Sequence, residues 1–299
     1  MNLLLAWIAT IIALAVGISG QIAAAEKRSD VIGASGQYET REEDTLLDIA
    51  RTFDLGYVEI RAANPEIDPW MPGAGRVLTL PTQFVLPEAP RRGIVINLPD
   101  LRLYYFPSRG DPRSFPIGIG GEGKETPVGQ TKISAKRVRP AWYPTKSERE
   151  EDPDLPEFVP PGPDNPMGDY AIYLGWKGYA IHGTNKPDSI GRRDSSGCIR
   201  LYPEDIENLF KLVEPGTPVT IVNQPVKLGW SGGELYLEIH PEQFETEALE
   251  ATGAPPSTIG TDADDLVVKA AGPEAHRLDW YAIHLAETLR NGVAVKVTR

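Results

Sequence analysis

Apolar residues recur three and four apart at Leu46, Ile49, Ala50 and Phe53. That spacing lines one face of a helix and predicts one starting at Asp44-Thr45, where Thr45 and Asp48 form a capping-box-like pair. Tyr57 to Ala63 reads as a second short helix that stops at Asn64-Pro65, because the residue before a proline is pushed out of the α region. Strand-like runs flank the pair, Gln37 to Thr40 before it and Arg76 to Leu80 after it. A strand-helix-helix-strand unit is therefore expected over 37–82.

After an expected linker from Thr82 to Arg92, the period changes to that of strands. Ile94 to Ile96 and Leu101 to Phe106, joined through Asn97-Leu98-Pro99-Asp100, read as a hairpin. Further strands are expected at Phe115 to Gly120, Gln130 to Ala135, Tyr170 to Leu174, Tyr179 to Ile181 and Val219 to Val222. Between the last two lies one clear helix. Pro203 opens it, Glu204 and Asp205 suit its first turn, and Ile206, Leu209, Phe210 and Val213 form its apolar stripe. The glycines of Gly118 to Gly123 lack the spacing of a phosphate loop and read as a turn. From Lys136 to Pro166, repeated prolines and acids fit no regular element, and an insertion of that kind in a compact domain suggests a lid, with Trp142 as its candidate contact residue. A strand at Tyr236 to Ile239, a helix around Glu274 to Arg290 and a strand at Val293 to Val297 make a small α+β accessory subdomain over 228–299, interrupted by a turn-rich Gly253 to Asp265. The fold class is mixed and β-rich: a small βααβ module, a mainly-β sandwich over 93–223 carrying one helix, and the α+β tail.

Composition narrows the setting. A net charge of −12, from 42 acidic and 30 basic residues, argues against nucleic acid as a partner, since phosphate binding wants a basic surface. The 28 prolines and 29 glycines favour turn-rich sheets over a helix bundle. Leu3 to Ala25 is almost unbroken apolar sequence ending in Ala23-Ala24-Ala25, which predicts an export signal over 1–25 cleaved near Ala25, or else an uncleaved anchor. Either places the body of the protein outside the cytoplasm.

Candidate chemistry concentrates between Ile181 and Leu201. Cys198 is the single cysteine, and His182 lies sixteen positions before it (198 − 182). A lone cysteine is more often a small buried hydrophobe than a nucleophile. Here Gly197 leaves room beside the sulfur, Ser195-Ser196-Gly197 makes a polar turn whose N–H groups can face an oxyanion, and Arg192, Arg193 and Arg200 add positive charge near a group that acts as an anion. His182 is the candidate base. His240, His276 and His284 are scattered and read as structural, so neither a metal site nor a cofactor is expected.

His182-Gly183-Thr184-Asn185, Ser195-Ser196-Gly197-Cys198-Ile199-Arg200-Leu201 and the upstream Thr126-Pro127-x-Gly129 together resemble the YkuD catalytic domain of L,D-transpeptidases over roughly Gly93 to Val222. Trp142-Tyr143-Pro144-Thr145 and Asn165-Pro166-Met167-Gly168 are similar to its ErfK-type branch. The first module, through Asp44-Thr45-Leu46, Asn64-Pro65, Asp68-Pro69-Trp70 and Leu78-x-Leu80-Pro81, resembles a LysM domain. Two departures stand out: Glu43 where LysM usually has glycine, and Ser196 where the catalytic family commonly has histidine. The resemblance implies a periplasmic enzyme whose Cys198 thiolate, deprotonated by His182, takes the acyl group of a peptidoglycan stem and releases D-Ala. Donors around Ser196 and Gly197 would hold the oxyanion, and Arg200, Asn185, Thr184 and Trp142 would contact substrate. The acceptor amine would be diaminopimelate, giving 3–3 cross-links, or the terminal Lys of an outer-membrane lipoprotein, while LysM holds wall glycan. A hydrolase on the same scaffold and a catalytically silent wall-binding protein remain open alternatives.

Overall fold

A computed structural model describes residues 29–254 and 263–299, so the predicted export segment lies outside the described residues. Among the latter no helix is long and apolar enough to cross a membrane. The N-terminal unit contains β1 (Val31–Gly33), β2 (Gly36–Glu39), α1 (Leu46–Thr52), α2 (Tyr57–Ala63), β3 (Val77–Leu80) and β4 (Gln83–Val85). β2 pairs antiparallel with β3, completing the expected βααβ order. Thr45 caps α1, its hydroxyl accepting from the Asp48 N–H and donating to the Asp48 carboxylate. The expected linker is not one. Residues 83–85 pair with β1, and Val85 and Leu86 are buried, because Phe84-Val85-Leu86 is an apolar run that has the neighbouring units to bury against.

The central unit comprises β5 (Gly93–Asn97), β6 (Arg102–Phe106), β7 (Arg113–Pro116), β8 (Ile119–Gly120), β9 (Gly129–Val138), α3 (Lys146–Glu151), β10 (Tyr170–Leu174), β11 (Ala180–His182), β12 (Arg193–Ser195), β13 (Ile199–Arg200), α4 (Pro203–Leu212) and β14 (Pro218–Val222). Eight of these strands form one sheet in the order β13-β11-β10-β9-β14-β5-β6-β7. Just past β7, Gly118 exchanges two backbone hydrogen bonds of 2.9 Å with Arg200 of β13, so the opposite edges of the sheet meet. The two faces of the expected sandwich are thus one sheet curled onto itself. Ile94, Ile96, Leu103, Ile117, Ile181 and Ile199 fill its interior, and Ile206 and Leu209 of α4 close one side. The insertion is less irregular than its prolines suggest: β9 runs on to Val138, and a capping box between Thr145 and Glu148 starts α3.

The C-terminal unit holds β15 (Val226–Ser231), β16 (Glu234–Ile239), α5 (Thr246–Thr252), α6 (Ala263–Ala271), α7 (Trp280–Leu289) and β17 (Val295–Lys296), with β15-β16-β17 as one sheet. The single helix expected over 274–290 starts only at Trp280, because the Asp279 side chain caps it by accepting from the Tyr281 and Ala282 N–H groups. α6 begins two residues before the end of the stretch read as turn-rich.

These units are fastened by buried charge. Lys227 of β15, fully buried, donates to Asp100 at 2.5 Å, Glu238 at 2.7 Å and the Tyr104 hydroxyl at 2.9 Å. Glu238 also accepts from the Val85 N–H and lies 2.6 Å from His240 Nε2. Asp100, Glu238 and His240 have the spacing of a metal site that their sequence separation hid, and the Lys227 ammonium donates to both carboxylates there. The N-terminal unit is fastened through Glu59 and Arg102, an ion pair of 2.9 Å with both side chains buried.

Candidate active site

Strands β11 and β13 run parallel, with Ile181 opposite Ile199 and His182 opposite Arg200. Side chains alternate along a strand, so the fully buried Ile181 and Ile199 commit one face to the core. Ala180 and His182, Cys198 and Arg200 share the other face. Continuing the register by one residue puts Cys198 beside Ala180, whose backbone favours the thiolate. His182 and Cys198 are then diagonal neighbours. A strand spacing of about 4.8 Å and two rises of about 3.3 Å separate their Cα atoms by about 8 Å, and the Cys198 thiol donates to the Gly178 carbonyl at 3.6 Å.

His182 Nδ1 lies 2.6 Å from the Gly183 carbonyl oxygen. A carbonyl only accepts, so Nδ1 carries the proton and Nε2 keeps its lone pair, which assigns the tautomer a base needs. Burial pushes the His182 pKa down to about 4; Arg200 adds to this, while the Gly183 bond and Glu148 oppose it. Burial pushes the Cys198 thiol up, and Glu148 pushes it further, against the Ala180 backbone and Arg200. At neutral pH the resting site therefore holds a neutral thiol and a neutral imidazole rather than an ion pair.

The turn before the sulfur is internally tied. The Ser195 hydroxyl donates to the Cys198 carbonyl at 2.6 Å and accepts from the Gly197 N–H at 3.2 Å. That occupies the Gly197 donor expected for an oxyanion, leaving Ser196 and Cys198 as candidate donors. Gly197 has φ +99°, and a Cβ there would meet Tyr179 at 3.1 Å. Thr126, buried, donates to the Gly197 carbonyl at 3.0 Å and accepts from Gly120 at 3.1 Å, so the Gly-rich turn braces the cysteine turn.

The remaining predicted residues divide into two groups. Trp142, Tyr173 and Cys198 all pack against Met167, Ala171 and Ala180, putting an indole from the insertion on the apolar bed of the sulfur. Arg200 is half-buried and already pairs with Asp194 at 2.8 Å, so its charge reaches the site as part of an ion pair. Ser196 is exposed. Thr184 is buried, its hydroxyl accepting from the Lys186 N–H at 2.9 Å, and with exposed Asn185 it lines a groove of about 810 Å³ on the Gly183 side. These two therefore face the groove on the Gly183 side, whereas Trp142 lies on the apolar bed that also carries the thiol.

Three contributors went unread in the sequence. Fully buried Asn165 donates to the carbonyls of Pro140, Val159 and Pro160 at 2.9–3.2 Å and accepts from the Met167 N–H, stapling the insertion's ends together. Tyr173 is close enough to Cys198 for the thiolate to raise its own pKa, after the effect of burial. Glu148 of α3 acts electrostatically on both Cys198 and His182. Its signal was available: Thr145-x-x-Glu148 is a capping box.

A thiol and an imidazole thus lie on adjacent parallel strands of a curled sheet, beside an inserted loop. Comparison with known proteins gives this arrangement a family. A model described as the L,D-transpeptidase catalytic domain, YkuD, matches residues 91–221. The chain is 46% identical over 202 residues to the Escherichia coli (strain K12) protein named Probable L,D-transpeptidase YcfS, covering 64% of this chain and 63% of that one. Probable L,D-transpeptidase ErfK/SrfK of the same strain is 44% identical over 221 residues, covering 71% of each. Probable L,D-transpeptidase YbiS, from the same strain, is 44% identical over 206 residues, covering 67% of each. The chain belongs to the L,D-transpeptidase family, and it spans about two thirds of the length of these relatives.

Proposed function

We propose that this protein is a cysteine L,D-transpeptidase acting on peptidoglycan stem peptides outside the cytoplasm. The observation that supports this is the pairing of β11 with β13, which brings Cys198 and His182 to one face, with the His182 Nδ1 proton engaged by the Gly183 carbonyl. In the first step the Cys198 Sγ attacks the carbonyl joining the third stem residue to the terminal D-Ala, while its proton passes to Nε2. The tetrahedral oxyanion faces the N–H groups of Ser196 and Cys198. Collapse expels the D-Ala amine, which takes the proton back from His182, and leaves a thioester. In the second step an amine attacks the thioester, His182 again accepts the proton, and the thiol is released.

Because thiol and imidazole both rest neutral, charge separates only as the carbonyl is attacked, and Trp142 and the apolar bed of Met167, Ala171 and Ala180 shield it from water. The βααβ unit is proposed as a LysM-type wall anchor, supported by Trp70 and Met71 at 58% and 78% exposure, too open for core residues. Incubation with a disaccharide-tetrapeptide, with and without an added amine, tests the proposal. Release of D-Ala with an amine-linked product supports transfer; tripeptide alone would indicate hydrolysis; neither product would contradict an active enzyme.

A further inference from the structure

The insertion carries a carboxylate to the mouth of the site. α3 is held there by Glu151, which forms an ion pair with Lys124, and the Lys124 carbonyl oxygen lies 3.3 Å from where a Cβ on Gly197 would sit; Glu148, one turn before Glu151, has its ionised form favoured by the Ser196 side chain. Glu148 is half-buried, and its Oε2 accepts from the Thr145 N–H at 2.7 Å and the Thr145 hydroxyl at 2.8 Å. Although burial alone would raise its pKa, the Thr145 and Ser196 contacts and the charge of Lys124 bring it below the ordinary value, so it is ionised at neutral pH. Among the described residues no Lys, Arg or His forms an ion pair with it, Lys124 being engaged with Glu151 and Arg200 with Asp194.

For the first step this charge is a handicap. A carboxylate near Cys198 opposes the thiolate. Its placement makes sense for the second step, in which the nucleophile arrives as a primary alkylammonium, must be desolvated, releases one proton to solvent and then passes a second through His182 to the leaving thiolate as it attacks the thioester. An unpaired carboxylate at the same mouth attracts and orients that cation, and it replaces part of the hydration the amine gives up. We propose that Glu148, presented by α3 and buttressed by Ser196, is the residue that selects and orients the cationic amine acceptor. This rests on the transfer reading above and adds the chemistry of the acceptor subsite. It also gives Ser196 a role: at this position a hydroxyl favours the ionised carboxylate without neutralising it.

The test separates the two steps by sign. For the full exported chain and its Glu148→Gln variant, the rate of Cys198 acylation by the tetrapeptide is measured by intact mass, and the acceptor dependence of transfer is measured with a diaminopimelate-containing tetrapeptide and with a Lys-terminated peptide. Glu148→Gln keeps the cap but removes the charge. Acylation is expected to hold or accelerate, while the acceptor concentration for half-maximal transfer rises about tenfold, the loss of one charge-assisted contact. The acceptor showing the larger rise identifies which amine source the subsite favours. Glu151→Gln, which loosens α3 but keeps the Glu148 charge, is expected to produce a smaller rise. Equal slowing of both steps, an unchanged acceptor dependence with both amines, or a matching effect of Glu151→Gln would overturn the inference. Absence of acylation in the unaltered protein would instead sink the transfer reading itself.

Discussion

The segment leading into the cysteine turn is clamped by the N-terminal unit, and Gly191 is where the clamp can be tested. The N–H groups of Tyr57 and Val58 donate to the carbonyls of Ile190 and Gly191 at 3.2 Å each, and the Arg192 guanidinium stacks on the Tyr57 ring at 4.0 Å. Gly191 has φ +79°, and an added Cβ would lie 2.2 Å from the Tyr57 nitrogen and 2.3 Å from the Gly56 Cα, both backbone atoms that cannot swing aside. Gly191→Ala therefore combines a left-handed penalty of about 1–2 kcal/mol with loss of two hydrogen bonds at about 0.5–1.5 kcal/mol each, or about 2–5 kcal/mol together. Gly73→Ala is the matched control, with φ +73° but open space around the new methyl, and should lose only the conformational part. In thermal unfolding, at about 2–4 °C per kcal/mol for a domain of this size, Gly191→Ala should melt well below Gly73→Ala. Because residues 192–198 follow directly, acylation should also slow by about 10-fold to 100-fold in Gly191→Ala alone, the effect of a displacement on the order of 1 Å. Equal melting and equal acylation in the two variants would refute the clamp.

Other outcomes follow from the same coordinates. With His182 held near pKa 4 by burial, its neutral form persists well below the ordinary value of 6.5, so the acid limb of the acylation rate should lie near pH 4; a midpoint near 6.5 would contradict the burial of the imidazole. Lys227→Met leaves the Asp100 and Glu238 carboxylates buried without their cation and should cost about 3–5 kcal/mol in chemical denaturation, part of it recovered by adding Glu238→Gln. The Asp205 carboxyl, pushed up to about 7 first by burial and then by Asp54 and Glu204, has a raised folded pKa, so its contribution is present below the unfolded value of 3.8 and is lost as pH rises through about 7. Asp205→Asn should accordingly be more stable than the parent at pH 8 by about 1 kcal/mol or more, and no gain there would count against the buried carboxylate. Trp142→Ala should slow acylation by the stem peptide more than acylation by a small carbapenem, since the indole lies in the bed beside the sulfur rather than on it.

Much of this protein was legible because local patterns and long-range packing agree. The helix stripe Ile206, Leu209 and the Leu46, Ile49 and Ala50 face are both buried as their spacing implies, with Phe53 half-buried at the end of the second. Cys198 and His182 could be proposed as a pair because the motif residues around them are short-range signals. What escaped depended on contacts distant in sequence. Phe84-Val85-Leu86 looked like linker flanked by prolines, but it is buried where the units meet. The Lys227, Asp100, Glu238 and His240 cluster joins positions more than a hundred residues apart, which no local pattern encodes. Arg200, expected to be free for substrate, is paired with Asp194 six residues before it, within a turn whose shape only the fold determines. In the insertion, prolines and acids masked the Thr145–Glu148 capping box, and so the helix that brings Glu148 to the mouth.

The central claim is that Cys198 is acylated with His182 Nε2 as its base, and intact-mass kinetics after mixing with a tetrapeptide stem test it directly. The account predicts one adduct of the tripeptide acyl mass, mapped to Cys198, absent in Cys198→Ala and formed at least about 10²-fold more slowly in His182→Ala. An adduct on another residue, or an undiminished rate in His182→Ala, would contradict it.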